Sequence, residues 1–457
     1  MNPFASWVDL LGEALQPRRA EERATPPRRR ESRRAADLAR VLERAAGASV
    51  DDLLGAAIEF VRVEDVPVAH PRHFGPFLPE PSPAAVLARG VSAALGSQLA
   101  VRAFAPAASA LEEAAAGDLL ARLGRPEGVG FFTGGASESL HTALLVALTR
   151  GLDDFAERGL DGRRPVVYRS AAAHLATDKA ARACGLGRTG RHVVPTTGDE
   201  RLDPEALRAA LAADRESGRV PVAVVATFGT TVSGAIDPLD EIGAICAEEG
   251  LFLVLDAAWG GAVAFSAVAR DLLAGSEHAD AIAIDLHKWP GAPPGLGFLA
   301  LGKDDGLEEI FGGDLAGYLP GRGAGRHDPR SRGLPWSRPL RGLEYLALAA
   351  EARASGEDLG ARVDRMIALG RALRTRLGEA GWRLRGRSPL PVVCFDDPAA
   401  TRTPREFARE VWRDGAVWIG DARYEDEEVL RAAIVNRRTG PEDLDALVAT
   451  LDRLRSR

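Results

Sequence analysis

Between residues 84 and 315 the chain alternates short, continuously apolar runs with longer stretches whose apolar residues recur at helical spacing. The apolar runs predict strands over 129–132, 165–168, 193–194, 220–226, 251–255, 281–284 and 297–301. Runs such as VPVAVVA and LFLVL leave no polar face, which suits strands buried on both sides of a largely parallel sheet. Helical stretches, among them 137–148 and 238–249, lie between them. The alternation predicts an α/β layered domain.

The flanks differ. Residues 17–34 (PRRAEERATPPRRRESRR) are charged and broken by proline, which reads as a solvated linker or arm; acidic residues interrupt the run and weaken a nucleic-acid reading. Over 35–66, Leu38, Val41, Leu42, Leu53 and Leu54 fall at helical spacing. A proline-rich stretch, HPRHFGPFLPEPSP at 70–83, separates that segment from the rest. Residues 316–340 are rich in Gly, Pro and Arg and too long for an ordinary connection. A long helix over 341–379 is expected next, then a small α+β tail. The tail has strands near 391–395, 416–419 and 430–435 and a final helix from Pro441. The expected division is a helical N-terminal segment and linker (1–83), a large α/β domain (84–340) and a small C-terminal α+β domain (341–457).

Composition narrows the function classes. With 457 residues, 46% hydrophobic, the chain can bury a large core. A net charge of −7 argues against a nucleic-acid or membrane-surface partner. Cys184, Cys246 and Cys394 are far apart and form neither a metal spacing nor a disulfide framework, so a reducing cytoplasm is expected. The first residues lack the order of a signal peptide, and no apolar run approaches the roughly 18 residues of a spanning helix. Only three lysines occur, Lys179, Lys288 and Lys303, against 55 arginines. A lysine in an apolar setting therefore invites a chemical explanation, because an amine can form a Schiff base and a guanidinium cannot.

Four segments carry candidate chemistry. Thr133-Gly134-Gly135-Ala136-Ser137-Glu138 joins a predicted strand to a helix, so its backbone N–H groups can face an anion; alone it reads as readily as a tight turn. His174 follows Val167-Tyr168-Arg169-Ser170, where a structural histidine is the plainer reading. Thr227–Thr231 and Asp256-Ala257-Ala258-Trp259-Gly260-Gly261 each follow an apolar strand, where open α/β sheets bind ligands; a helix cap or buried ion pair is the competing account of Asp256. The run AIAIDLHKW carries a strand straight into Asp285, His287, Lys288 and Trp289, where a salt-bridged surface lysine is the alternative.

Together the segments meet the needs of pyridoxal 5'-phosphate: a lysine for the imine, an anion cradle, a carboxylate that keeps the pyridine nitrogen protonated, and a flat group on the ring. A metal fits less well, since no cluster has ligand spacing.

The ordered set GGASES, His174, GTT with Asp237, DAAWGG and DLHKW, closed by LRAAIVNRRT at 430–439, resembles the group II pyridoxal-phosphate-dependent amino acid decarboxylases. The resemblance runs from about His70 to the C-terminus. It implies the fold-type I (aspartate aminotransferase-like) architecture, a mostly parallel seven-stranded sheet, and a homodimer with its active site at the subunit interface. It makes Lys288 the Schiff-base lysine, Asp256 the partner of the pyridine nitrogen and His174 the ring-stacking group. Gly135, Ala136 and Ser137 would hold the phosphate, with Thr231, Ala258, Asp285 and His287 beside the cofactor. Asp285 stands where the family commonly has asparagine, and an anion near a phosphate is unfavourable unless compensated. Val254 replaces a histidine often found two residues before the aspartate.

The implied activity is decarboxylation of an L-amino acid to its amine. In the family a tyrosine on a mobile loop is tied to the final protonation. Alignment from Arg341-Gly342-Leu343 puts Pro329 there, with Tyr318 elsewhere in the loop. Another fate of the carbanion (oxidative deamination to an aldehyde, transamination or a lyase outcome) and a non-catalytic module stay open at this stage. Arg431 reads either as a contact for a substrate carboxylate or as a structural arginine.

Overall fold

The computed structural model describes residues 49–65, 68–303, 306–312 and 328–456, with isolated positions before 49. A two-residue strand, β1 (His73–Phe74), comes first in the chain. Then β2 (Val129–Thr133), β3 (Pro165–Ser170), β4 (Arg191–Val194), β5 (Val220–Thr227), β6 (Phe252–Asp256), β7 (Ala281–Asp285) and β8 (Gly297–Leu301) form one sheet, in the order β2-β8-β7-β6-β5-β3-β4. β8 is antiparallel to both its neighbours, and the other pairs are parallel. Every expected strand is present, and the fold is the mostly parallel α/β arrangement of fold-type I.

The apolar runs are buried on both faces. In β6 and β7, Val254, Ala281 and Ala283 pack into one core with Leu140, Ala143 and Leu144 of the helix Ala136–Gly151. Their neighbours Leu253, Leu255, Ile282 and Ile284 enter the opposite core with Ile242 and Ile245 of the helix Leu239–Glu249. Each such Leu or Ile contributes about 1.5–3 kcal/mol by leaving water. A polar residue at either position would break one layer.

A second sheet contains β9 (Arg383–Arg385), β10 (Val392–Asp396), β11 (Trp418–Tyr424) and β12 (Glu427–Ala433). Its order is β1-β11-β12-β10-β9, so the proline-rich stretch lends a strand to the C-terminal sheet. β1 runs parallel to β11, with His73 opposite Trp418. This sheet sits on the turn after β5: Arg431 Nε donates to the Thr231 carbonyl at 2.9 Å, and Ser388 Oγ donates to that of Gly234 at 2.6 Å.

The single helix expected over 341–379 is two, Gly342–Ala354 and Leu359–Glu379. Gly356 at φ +78° takes the left-handed turn. Asp358 then caps the second helix by accepting from Ala361 N at 2.8 Å. At the N-terminal end the helix Val50–Glu64 starts at Ser49, whose hydroxyl accepts from Asp52 N. The charged arm at 17–34 lies outside the described residues. Among the described residues no helix is long and apolar enough to cross a membrane.

Candidate active site

Strands β3, β5, β6 and β7 are mutually parallel, so the segments that follow them emerge at one edge of the sheet. β2 points the same way, because β8 is antiparallel to both β2 and β7. The sequence-derived candidates therefore converge.

β7 ends at Asp285, whose N–H donates to the Ala258 carbonyl at 3.0 Å. The next two N–H groups, of Leu286 and His287, both donate to the Leu296 carbonyl. This fixed turn delivers Lys288. Its Nζ lies 3.1 Å from Asp285 Oδ2, and its side chain is 24% exposed. Trp289 behind it is buried and donates its indole N–H to Met366 Sδ. Lys288 is thus paired with a buried carboxylate rather than solvated at the surface.

Asp256 closes β6 and is 5% exposed. Its carboxylate accepts from Ala258 N at 3.2 Å. Burial pushes its pKa up, the Lys288 ammonium pulls it down, Asp285 pushes it up and His174 pulls it down. The charges of Lys288, Asp285 and His174 therefore all bear on Asp256. His174 itself is exposed, with Nδ1 accepting from Ala176 N at 3.2 Å.

The helix Ala136–Gly151 begins after Gly135, which sits at φ +138°. A Cβ there would lie 3.3 Å from His287 Cε1 and 3.5 Å from Asp285 Oδ1. Glycine thus keeps this helix end open. Ala136 N donates to Asp285 Oδ1 at 2.7 Å, and Gly134 N donates to a Glu138 carboxylate oxygen at 2.6 Å. His287 Nδ1 lies 3.0 Å from the Leu296 carbonyl, which orients the ring. Ser137 and Thr231 are exposed, and Ala258 is half-buried between Asp256 and Asp285.

Sequence patterning does not single out Phe77, yet its ring stacks 4.3 Å from Trp259, which stacks in turn on Trp289 beside Lys288. Arg431 lies over the same Phe77 ring. Its guanidinium is buried and bonds only to the carbonyls of Gly75, Thr231 and Val232 among the described residues. Burial pulls its pKa down to about 10. The two phenylalanines of the proline-rich stretch, Phe74 and Phe77, are the sequence signal that could have pointed to it. A cavity of about 690 Å³ has His174, Thr231, Glu200 and Arg423 in its lining. Tyr318 lies outside the described residues; Pro329 opens a short 3-10 turn, Pro329–Ser331.

An amine, a fully buried carboxylate and a glycine-opened helix end gathered at one sheet edge fit pyridoxal phosphate. Similarity to known proteins agrees. The pattern of a family described as pyridoxal-dependent decarboxylase conserved domain matches residues 49–396. The acidic amino acid decarboxylase GADL1 of Mus musculus is 30% identical over 432 residues, spanning 89% of this chain and 78% of that one. The cysteine sulfinic acid decarboxylase of Rattus norvegicus is 34% identical over 255 residues, 56% of this chain and 52% of that one. The crystal structure of mouse CSAD in apo form superposes with a TM-score of 0.85 at 25% identity, covering 99% of this chain and 98% of that chain.

Proposed function

Because this chain belongs to the pyridoxal-dependent decarboxylase family, and so removes carbon dioxide from an amino acid with pyridoxal phosphate as cofactor, we propose the following roles for its residues. Lys288 is the amine that attaches the cofactor. Asp256 meets the pyridine nitrogen, His174 covers the ring, and Gly135, Ala136 and Ser137 receive the phosphate, with Thr231, Ala258 and His287 beside it. The observation that carries this reading is Asp256: a buried carboxylate at the end of β6, whose pKa burial raises and the Lys288 ammonium lowers. When bound, the cofactor supplies the electron sink for the pair released as carbon dioxide leaves. Asp256 would keep that sink charged, and the Lys288 amine could carry a proton at the site. Lys288→Ala is expected to abolish the visible absorbance of lysine-bound cofactor and the release of carbon dioxide. Retention of both by this variant would overturn the assignment.

The substrate is an acidic amino acid in this proposal. Relatives named for acidic amino acids and cysteine sulfinic acid support it. So does Arg431, a buried cation whose described partners are all carbonyls, which a substrate carboxylate would neutralise. Carbon dioxide release from aspartate, glutamate and cysteine sulfinate, compared with neutral and aromatic amino acids, tests it; preference for the aromatic set would sink it.

The assembly proposed is a cytoplasmic homodimer. Leu87, Val91 and Leu95 stand four residues apart on the helix Pro83–Leu95 and are 50–65% exposed, an apolar stripe suited to a second copy. Sedimentation analysis of Val91→Glu should give a monomer where the parent gives a dimer. A parent that sediments as a monomer would remove this part of the proposal.

A further inference from the structure

We propose that Asp285 is an internal anion that competes with the cofactor's phosphate for the N-terminus of the helix Ala136–Gly151, and so weakens cofactor binding. This rests on the site reading above. Oδ1 of Asp285 already accepts the Ala136 N–H at 2.7 Å, the first amide of that helix. Oδ2 lies 3.1 Å from Lys288 Nζ, so one carboxylate bridges the helix end and the lysine. The carboxylate is held there from behind. Its backbone N–H is tied to Ala258 O, and its side chain is 5% exposed.

A helix N-terminus favours one negative group, and a second at the same amide meets like-charge repulsion in a water-poor setting. The charged or titratable groups facing Asp285 are Lys288, the His287 ring, whose Nδ1 is 3.7 Å away but directed to Leu296 O, and the carboxylate of Asp256. Lys288 is thus the described full cation beside it. Lys288 is also the amine that would attach the cofactor, so once bound its nitrogen would be held by the cofactor and less free to pair with Asp285. A neutral amide at 285 would remove the competing charge and offer an N–H to the phosphate. Asp285 therefore acts as a positioning residue for Lys288 and as a brake on loading.

Asp285→Asn, prepared free of cofactor, is titrated with pyridoxal phosphate and separately with pyridoxal, which lacks the phosphate. The expected result is pyridoxal phosphate binding tighter by about tenfold or more, with pyridoxal changed by less than about threefold. Inorganic phosphate should also raise the melting temperature of the variant and leave that of the parent unmoved. Equal shifts for the two ligands would place the effect on Lys288 alone and overturn the proposal, as would unchanged pyridoxal phosphate affinity. If Asp285→Asn does not fold, Asp285→Ser removes the same charge and gives the same reading. Failure of the cofactor assignment itself is separate: it shows as absorbance surviving in Lys288→Ala, whereas Asp285→Asn retains that absorbance under both outcomes.

Discussion

The guanidinium carbon of Arg431 lies 4.4 Å from the centre of the Phe77 ring. Phe77 thus links the cation of the small sheet to Trp259, three residues beyond Asp256. Among the described residues this buried guanidinium is held by carbonyls and an aromatic face, with no carboxylate bonded to it.

Arg431→Met tests whether that charge serves the substrate. The KM for an acidic amino acid should rise about tenfold or more, with kcat changed less, as for loss of a contact made equally before and during the reaction. The freed carbonyls of Gly75, Thr231 and Val232 should also lower stability, by about 1–3 kcal/mol. Lowered stability with an unmoved KM in steady-state assays would make Arg431 a clamp between β12 and the turn after β5.

Gly135→Ala should damage the cradle locally. The added methyl group would meet His287 and Asp285 in a backbone conformation that L-residues avoid. Strain at such a position is of order 1–3 kcal/mol. Thermal melting should show that loss, and cofactor titration should show weaker binding than in the parent.

The strands were legible because they are continuously apolar, and burial on both faces demands that pattern; β8 was read to the residue. The candidate site residues stood out in the sequence because each lies at or just after the end of such a strand. Other features depend on partners far away in sequence. Asp285 meets Ala136 across 149 residues, and Arg431 meets Thr231 across 200. A two-residue strand such as β1 has no periodicity to read, and its partner Trp418 is only known once the chain has folded. The break at Gly356 was hidden because the apolar spacing resumes after it, while Asp358 looks like any surface acid until its side chain is seen capping Ala361.

His174 should divide according to ring shape. It is exposed and its one described side-chain hydrogen bond is from the nearby Ala176 N, so its removal should cost the fold little. His174→Phe keeps a flat face and should hold the cofactor within about threefold of the parent, while His174→Ala should weaken binding about tenfold or more. Equal affinities for the two variants would argue against a stacking role.

Asp237 should shape the dependence of stability on pH. Burial pushes its pKa up from 3.8 to about 6, against hydrogen bonds from Leu202 N and Thr227 N that pull it down. Between those values the folded chain keeps a proton that the unfolded chain has released. The associated stability is therefore fully present below the unfolded value and lost as pH rises through about 6. Urea unfolding of the parent and of Asp237→Asn should show the parent's relative stability falling between pH 4 and pH 7 by roughly 3 kcal/mol. A difference that does not vary with pH would contradict this.

The pairing of β1 with β11 bears on how the molecule is made. Residues 69–75 are gripped from the far end of the chain: Ala69 O accepts from Asn436 Nδ2, Pro71 O from Thr439 Oγ1, and Gly75 O from Arg431. None of those partners exists when the segment leaves the ribosome. The carbonyls of Ala69, Pro71 and Gly75 must wait for these partners while more than three hundred residues are added behind them. Synthesis thus completes the small sheet after all strands of the large one have been made, and the Phe77 ring reaches Arg431 only once β12 has been added.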